Sequence, residues 1–362
     1  MMCTVAKKEM TLSSDDDDWF YDSISRYKHL YMYDLQYPVT ALDWINTNYV
    51  CVATRGRSRH EITELSLPDK LCTSEDLALS KNRDFQVVTG GFSSAQINAI
   101  KHIPDTRMIC TSSVNYHGHL EIWKLGSTET DLIKLETRLN NRKPKGVCSS
   151  ISELKKSHVI FGSHGDNLCY ADVMSQTILQ DTTDFNCEGR LSCIRNLNEH
   201  IVCGCFTSGQ LLIWDTREKT PSLQETECDK SVQWTMDCSE TDMVQLSSGG
   251  DIQFRDSRKP KTCNMTLSNS IGFTSKDLEY LKICLKKQNG SLHQYSVSGF
   301  DGNVYLFSSN SPSPVFVHEG HVKNGSNDLS KVKVVTHSWH PMENVVLSAA
   351  TDGSLHAWQQ TS

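Results

Sequence analysis

The sequence has no apolar run approaching the ~18 residues of a membrane-spanning helix, which excludes a helical span of the usual kind. Residues Met1 to Asp18 lack the apolar stretch of a signal peptide and end in four aspartates, so no secretory leader is expected. No C-terminal lipidation signal is visible. Positive charge is in short supply. Lys and Arg number 36 against 43 Asp and Glu, giving a formal net charge of −7 and a pI near 6.0, which weighs against a general nucleic-acid binder. Zinc spacing is absent, because none of the 14 cysteines stands in a C-x-x-C pair. Many of them lie in apolar, strand-like surroundings, such as Cys110 in M-I-C-T-S and Cys203 and Cys205 in I-V-C-G-C-F. They read as small, buried, reduced hydrophobes of a cytosolic protein. The triplets at Asn264, Asn289 and Asn324 match the glycosylation pattern but are silent without a secretory route.

Catalytic motifs are missing as well. There is no H-E-x-x-H, no P-loop, no G-x-S-x-G and no carboxylate pair with a clear partner. The 14 histidines read as structural or exposed. His102-Ile103-Pro104 and His340-Pro341 sit where a first strand would turn into a second. No catalytic, cofactor-binding or metal-ligating residue is therefore expected, although loops from different repeats could still assemble a site.

What the chain has instead is a repeated phrase. Val345 to Trp358 reads V-V-L-S-A-A-T-D-G-S-L-H-A-W: a strand, an Asp352-Gly353 turn, and a second strand with period-2 alternation. Comparable phrases recur from Pro38 onward, and their third strands end near Glu64, Trp123, Ala171, Trp214, Arg255, Phe307 and Trp358. The steps are 59, 48, 43, 41, 52 and 51 residues, against about 40–45 for a four-stranded propeller blade. The longer steps carry polar inserts (Leu67 to Arg83, Ser308 to Ser313, Glu319 to Lys333), expected as loops between blades. Six of the seven tryptophans fall at repeat positions: Trp123, Trp214 and Trp358 at third-strand ends, Trp44, Trp234 and Trp339 in first strands. Trp19 stands outside the repeat.

With Trp214-Asp215, the Asp301-Gly302 and Asp352-Gly353 turns, and Gly320-His321 ahead of the last repeat, the chain resembles the WD-repeat β-propellers from Pro38 to Trp358. The resemblance is to a degenerate member, with one true Trp-Asp pair. The expected fold is all-β: a single seven-bladed propeller over residues 30–362, preceded by a disordered stretch over 1–14 and an acidic, aromatic helical lead over 15–29. The last repeat supplies only three strands, and Leu30 to Leu35 is an orphan strand. Pairing the two removes an exposed edge and closes the ring. By the same resemblance His321 sits where such repeats hydrogen-bond a turn aspartate.

A narrower resemblance, to one group of WD-repeat scaffolds, rests on phrases spread from end to end. They are Asp17-Asp18-Trp19, Arg83-Asp84-Phe85 with Gly90-Gly91-Phe92-Ser93, Lys101-His102-Ile103-Pro104, Ser298-Gly299-Phe300-Asp301-Gly302, and Thr336-His337 with Trp339-His340-Pro341. It implies a non-enzymatic cytoplasmic scaffold, monomeric within hetero-complexes. The implied partners are the endonuclease subunits of the Integrator RNA-processing complex and tubulin or other spindle proteins, with spindle poles as a mitotic location and nuclear access left open.

Three stretches are candidates for partner contact. Asp15, Asp16, Asp17 and Asp18 precede Trp19 and Phe20, so an exposed aromatic beside an acidic run could anchor in a partner groove; alternatively Trp19 packs on the propeller rim. Arg142-Lys143-Pro144-Lys145 and Arg258-Lys259-Pro260-Lys261 repeat the same letters, each after a third strand or its loop, and read either as anion contacts or as solvated loops. The third is a pair of D-x-R boxes, Asp215-Thr216-Arg217 and Asp256-Ser257-Arg258. They resemble the boxes of propellers that serve as substrate receptors of cullin-type ubiquitin ligases, in which Arg217 and Arg258 would meet an adaptor. The plainer alternative is that each pair staples its own strand end. The inserts Leu67 to Arg83, Leu125 to Gly146 and Ser308 to Lys333 complete the contact candidates.

Overall fold

The computed structural model describes residues 25–361, apart from 73–81, 116, 128–129, 156, 183–184, 186, 269, 273, 276–277, 287–293, 310 and 324–331. It contains seven four-stranded antiparallel sheets. Blade 1 is Val39–Trp44, Tyr49–Thr54, His60–Ser66 and Gln86–Ser93. Blade 2 is Ile97–Ile103, Met108–Ser113, His119–Lys124 and Lys134–Asn140, and blade 3 is Ser150–Glu153, His158–Gly162, Cys169–Asp172 and Thr177–Asp181. Blade 4 runs Leu191–Asn196, Ile201–Phe206, Leu211–Asp215, Ser222–Gln224, and blade 5 Trp234–Cys238, Asp242–Ser247, Ile252–Asp256, Cys263–Leu267. Blade 6 is Lys282–Leu285, Gln294–Ser298, Val304–Ser308 and Phe316–His318. Blade 7 takes Val334–Trp339, Val346–Ala350 and Ser354–Gln360 from the C-terminus and Tyr27–Asp34 from the N-terminus.

The fold is thus the expected seven-bladed propeller, closed by its N-terminal strand. Tyr27–Asp34 lies antiparallel to Ser354–Gln360, with Leu30 opposite Trp358 and Asp34 opposite Ser354. The strand starts at Tyr27, before Leu30, so the end of the helical lead expected over 15–29 is strand; residues 15–24 lie outside those described. Gly353 lets the blade 7 turn form. Its φ is +95°, and a Cβ there would strike the carbonyl oxygen of Leu35 just beyond the closing strand.

The apolar core is divided among the gaps between blades. Seven hydrophobic clusters each fill one interface. Leu120, Ile122, Val159 and Phe161 join blades 2 and 3, while Tyr27, Leu306, Val346 and Trp358 join blades 6 and 7. Each sheet is therefore covered on both sides, which is why the middle strands read as near-continuous apolar runs.

Two sequence expectations need correction. Leu67 to Arg83 and Ser308 to Ser313 do not connect blades: each links the third strand of its own blade to the fourth. Leu125 to Gly146 contains the fourth strand of blade 2. Glu319 to Lys333 does run between blades, carrying the short helix Gly320–Lys323. The strand register also shifts one landmark. Trp123, Trp214 and Trp358 stand opposite Ile109, Val202 and Val346, and the equivalent residue of blade 1 is Leu65, opposite Val50, not Glu64. Glu64 is fully buried on the blade 2 side, where Arg107 donates to it at 2.5 and 2.7 Å and the Thr89 hydroxyl at 2.7 Å.

Candidate interaction faces and central channel

First-to-second and third-to-fourth strand turns define a lower face; second-to-third turns and the connections between blades define an upper one. The inner strands enclose a polar channel of about 760 Å³. Five of its charged side chains hold blades together. Asp43 of blade 1 accepts the His102 backbone N–H of blade 2 at 2.8 Å and pairs with Lys101, which also reaches Glu153 of blade 3 at 2.9 Å. Burial works against the Lys101 ammonium, yet Asp43 and Glu153 hold its pKa above the ordinary value. The pattern recurs in Asp237 of blade 5, which accepts from Leu285 N of blade 6 at 2.8 Å and pairs with Arg195 of blade 4 at 2.9 Å. A carboxylate engaged by both a neighbouring backbone and a neighbouring cation is a clip between blades.

Behind the closing strand lies a buried histidine network. Trp358 Nε1–H donates to Ser348 Oγ at 3.1 Å, and Ser348 Oγ meets His321 Nε2 at 2.8 Å. His321 Nδ1 meets Ser354 Oγ at 2.6 Å, and Ser354 Oγ donates to Asp352 at 2.6 Å. Only one proton order satisfies this chain. The Ser354 hydroxyl gives its hydrogen to the carboxylate, so His321 Nδ1 must donate and Nε2 must accept. His321 therefore reaches the turn aspartate through Ser354, where a direct bond was expected. Beside it, Tyr27 Oη bonds His318 Nδ1 at 2.8 Å, and His318 Nε2 bonds His356 Nδ1 at 3.1 Å. Burial, then the neighbouring imidazoles, push the pKa values of His318, His321 and His356 well below the usual histidine range.

Ligand nitrogens of these three histidines lie within 4.8 Å of one another, a spacing close enough for a metal centre, but the ring geometry does not fit one. His321 and His356 are stacked, with centroids 4.0 Å apart and planes within 6°. A metal lies in the plane of each imidazole that binds it, so two parallel rings cannot aim at one ion. Both nitrogens of His321 are also occupied. The cluster is a structural hydrogen-bond network.

The indole positions show how the repeat degenerates. Trp123 Nε1 donates to Thr111 Oγ1 at 2.9 Å, as Trp358 does to Ser348. In blade 4 the equivalent of Thr111 is Gly204, with no hydroxyl, and Trp214 turns to the carbonyl of Glu218 at 3.3 Å. In blade 5 Arg255 replaces the indole. It is 2% exposed and donates to Gln245, Gln253, Pro260 and Lys261, all through carbonyl oxygens. Asp301 accepts from Asn303 N at 2.8 Å and Tyr305 Oη at 2.7 Å, closing the blade 6 turn.

Arg217 and Arg258 project from the lower face of adjacent blades with matching geometry. Each donates its Nε at 2.9 Å and its Nη2 at 2.6 Å to the aspartate two residues earlier, Asp215 or Asp256. The bonds from the arginines draw both carboxyls down to about 2. Both guanidinium groups remain largely exposed. The two basic runs part company: Arg258-Lys261 follows a third strand on the lower face, but Arg142-Lys145 follows a fourth strand on the upper face, a correction to the sequence reading. Arg142 pairs with Asp181 at 3.4 Å and Lys145 with Asp166 at 3.2 Å. Asp15, Asp16, Asp17, Asp18, Trp19 and Phe20 lie outside the described residues.

No family model matches the chain. It is similar over its length to the Integrator complex assembly factor WDR73 of Danio rerio, 31% identical in a 372-residue alignment spanning 96% of this chain and 98% of that protein. The chain belongs to the WDR73 family. Proteins of the same name from Mus musculus and Homo sapiens are 29% and 28% identical, each over 94% of this chain and 97% of the relative.

This WDR73-family chain carries one surface that the sequence reading passed over. The second-to-third turn of blade 1 reads T-R-G-R-S-R-H, and Arg55, Arg57 and Arg59 are all exposed. Gly56 permits the turn, since a Cβ there would overlap the carbonyl oxygen of Arg59. Next to it, Arg59 Cζ lies 5.8 Å from the ring centroid of Phe92, itself 58% exposed. No helix among the described residues is long and apolar enough to cross a membrane.

Proposed function

We propose that this chain is a non-enzymatic protein–protein scaffold that associates with the endonuclease subunits of Integrator. The observation that carries this reading is the near end-to-end similarity to proteins named Integrator complex assembly factor. The channel is consistent with it, because Asp43, Lys101, Glu153, Arg195 and Asp237 in its lining are committed to inter-blade clips. A rigid closed disc offers its loops and rim to other proteins. Within this reading the chain acts as a monomer inside hetero-complexes, in the cytoplasm with access to the nucleus. Association with tubulin and spindle poles is the more distant part of the proposal. The test is affinity purification of the tagged full-length chain from cells at moderate salt, beside a version lacking Met1 to Trp19, with mass spectrometry of what accompanies each. Integrator nuclease subunits are expected with the full-length chain. Their loss from the shorter version would assign a contact to the segment Met1 to Trp19, and their absence from both would overturn the reading.

A second reading, receptor for a cullin-type ubiquitin ligase, is favoured by one observation: the matching, exposed geometry of Arg217 and Arg258 on neighbouring blades. Co-purification of a cullin adaptor that disappears on Arg217→Ala with Arg258→Ala would support it. An adaptor that stays, or never appears, would end it.

A further inference from the structure

We propose that the upper rim of blade 1 is a docking surface for an acidic protein segment carrying a bulky apolar side chain. The inference narrows the scaffold reading to one surface and rests on that reading. It starts from a break in the regular edge of the disc. In the outer strand of blade 1, Thr89, Gly91 and Ser93 face inward, while Val88, Gly90 and Phe92 face out. The connection between the third and fourth strands of blade 2 crosses over to this edge. Gly90 N donates to Asp131 O at 3.0 Å, Ile133 N donates to Gly90 O at 2.8 Å, and Leu132 stands beside Gly90 in a parallel bridge. Ile133 fills the inner side, where a Cβ on Gly91 would come within 2.8 Å of its Cβ. Leu132 is left pointing outward.

The result is an apolar strip with a gap in its middle. Phe92 is 58%, Leu132 57% and Val88 37% exposed, and a Cβ on Gly90 would find nothing nearer than 3.9 Å. The strip ends against the arginine turn. Phe92 pairs with Glu61 in the sheet and lies under Arg59, so Arg59 joins the apolar notch to the turn that also carries Arg57 and, toward the channel, Arg55. Among the described residues Arg55, Arg57 and Arg59 form no ion pair, unlike Arg142 and Lys145 on the same face. Three unpaired cations on a chain of net charge −7 are a local reversal of sign, and they select a partner of opposite charge.

A protein segment fits better than RNA. The notch is walled by aliphatic side chains, and the one exposed aromatic face is already covered by Arg59, so a base has nothing to stack on. Farther round the same face, Glu225, Glu227 and Asp229 are exposed and would repel a long polyanion, whereas a short acidic segment need not reach them.

The test is fluorescence anisotropy of the purified full-length chain with a labelled twelve-residue peptide of Asp and Glu containing two Phe. A version with Ser for Phe and a twelve-nucleotide oligouridine serve as the other probes. The Phe-containing peptide is expected to bind best and to weaken as salt rises. Arg57→Glu with Arg59→Glu should lower its affinity about tenfold or more. Phe92→Ser should abolish the preference for the Phe-containing peptide. Unchanged melting temperatures would show that these exposed substitutions leave the fold intact. No binding at low salt, equal affinity in the variants, or tighter binding of the oligonucleotide would each overturn the proposal. So would self-association in light scattering that the arginine changes dissolve. The readout is a synthetic peptide on the isolated chain, so its failure is distinct from a failure to co-purify Integrator subunits.

Discussion

Lowering the pH from about 7.5 to about 5.5 is expected to destabilise this protein by about 5 kcal/mol through four histidines. His318, His321, His337 and His356 are fully buried, with no measurable exposure. Burial pushes all four pKa values down, helped by the neighbouring imidazoles at His318, His321 and His356 and by Lys282 at His337, which falls to about 3. Each is already bonded in its neutral form, His337 between Ser296 at 2.8 Å and Ser298 at 2.7 Å. An unfolded histidine titrates near 6.5. Below that value the unfolded chain binds protons that the native chain refuses, so stability falls as pH falls. The contribution is whole above the unfolded value and erodes progressively toward the folded ones. At about pH 5.5 the unfolded imidazole is roughly nine-tenths charged, which costs about 1.3 kcal/mol per residue. The sum is comparable with the whole stability of an ordinary domain, about 5–15 kcal/mol. With an unfolding entropy of about 2.1 cal/mol/K per residue, the melting temperature should drop by about 7 °C. Most carboxylates titrate below this window. The assay is differential scanning fluorimetry at constant ionic strength, with His337→Asn as companion, whose pH dependence should be shallower by about a quarter whatever its absolute stability. A melting temperature that moves by less than about 2 °C would mean that these histidines take up protons within the native fold, and would refute the reasoning.

Further outcomes are expected from substitution and truncation. Arg107→Ala strands the buried carboxylate of Glu64 and should cost about 3–5 kcal/mol in urea unfolding, largely recovered when Glu64→Gln is added. Tyr27→Phe removes the 2.8 Å bond to His318 and should cost about 1–2 kcal/mol; deleting the chain through Asp34 should collapse the melting transition, and an unchanged one would contradict the closure. Arg255→Ala leaves Gln245 and Gln253 without their shared donor and should lose about 2–4 kcal/mol, whereas Arg255→Trp, whose indole N–H can still reach Gln245, should lose less in the same denaturation series. Arg217→Ala and Arg258→Ala remove exposed pairs and should each leave thermal melting nearly unchanged, so a large drop would show that the D-x-R boxes hold the fold together.

The blade count was legible because the second and third strands are buried on both sides, which writes apolar runs and tight Asp-Gly or Ser-Gly turns into the chain. The fourth strands were not. Lys134–Asn140 reads K-L-E-T-R-L-N and is mostly exposed, and Gln86–Ser93 contains two adjacent glycines. Both resemble loop until a neighbouring strand supplies the other half of the ladder. The inner strands of blades 3 and 6 are four residues each, too short for a period to show. Glu64 is not recognisable as a buried carboxylate in the sequence, because its partner Arg107 belongs to the next blade. The D-x-R pairs could be found from spacing alone, since each is local. The surface at Arg55, Arg57 and Arg59 could not, because its character depends on Phe92, which the sheet of blade 1 brings beside the turn, and on Leu132, which comes from blade 2.

The closing strand also sets a schedule for synthesis. Tyr27 pairs with Gln360, so one strand of the seventh blade is synthesised before blades 1 to 6 and the other three after them. At roughly 5–20 residues per second the early strand waits on the order of tens of seconds for its partner. Throughout that interval the nascent disc is open, with Tyr27–Asp34 unpaired and the side of blade 1 that faces blade 7 bare, an invitation to mispairing that a chaperone would have to cover. A message cut short anywhere after blade 1 would yield a product that keeps every earlier blade and still lacks a closed ring. Even loss of the final seven-residue strand should therefore behave as loss of the whole protein.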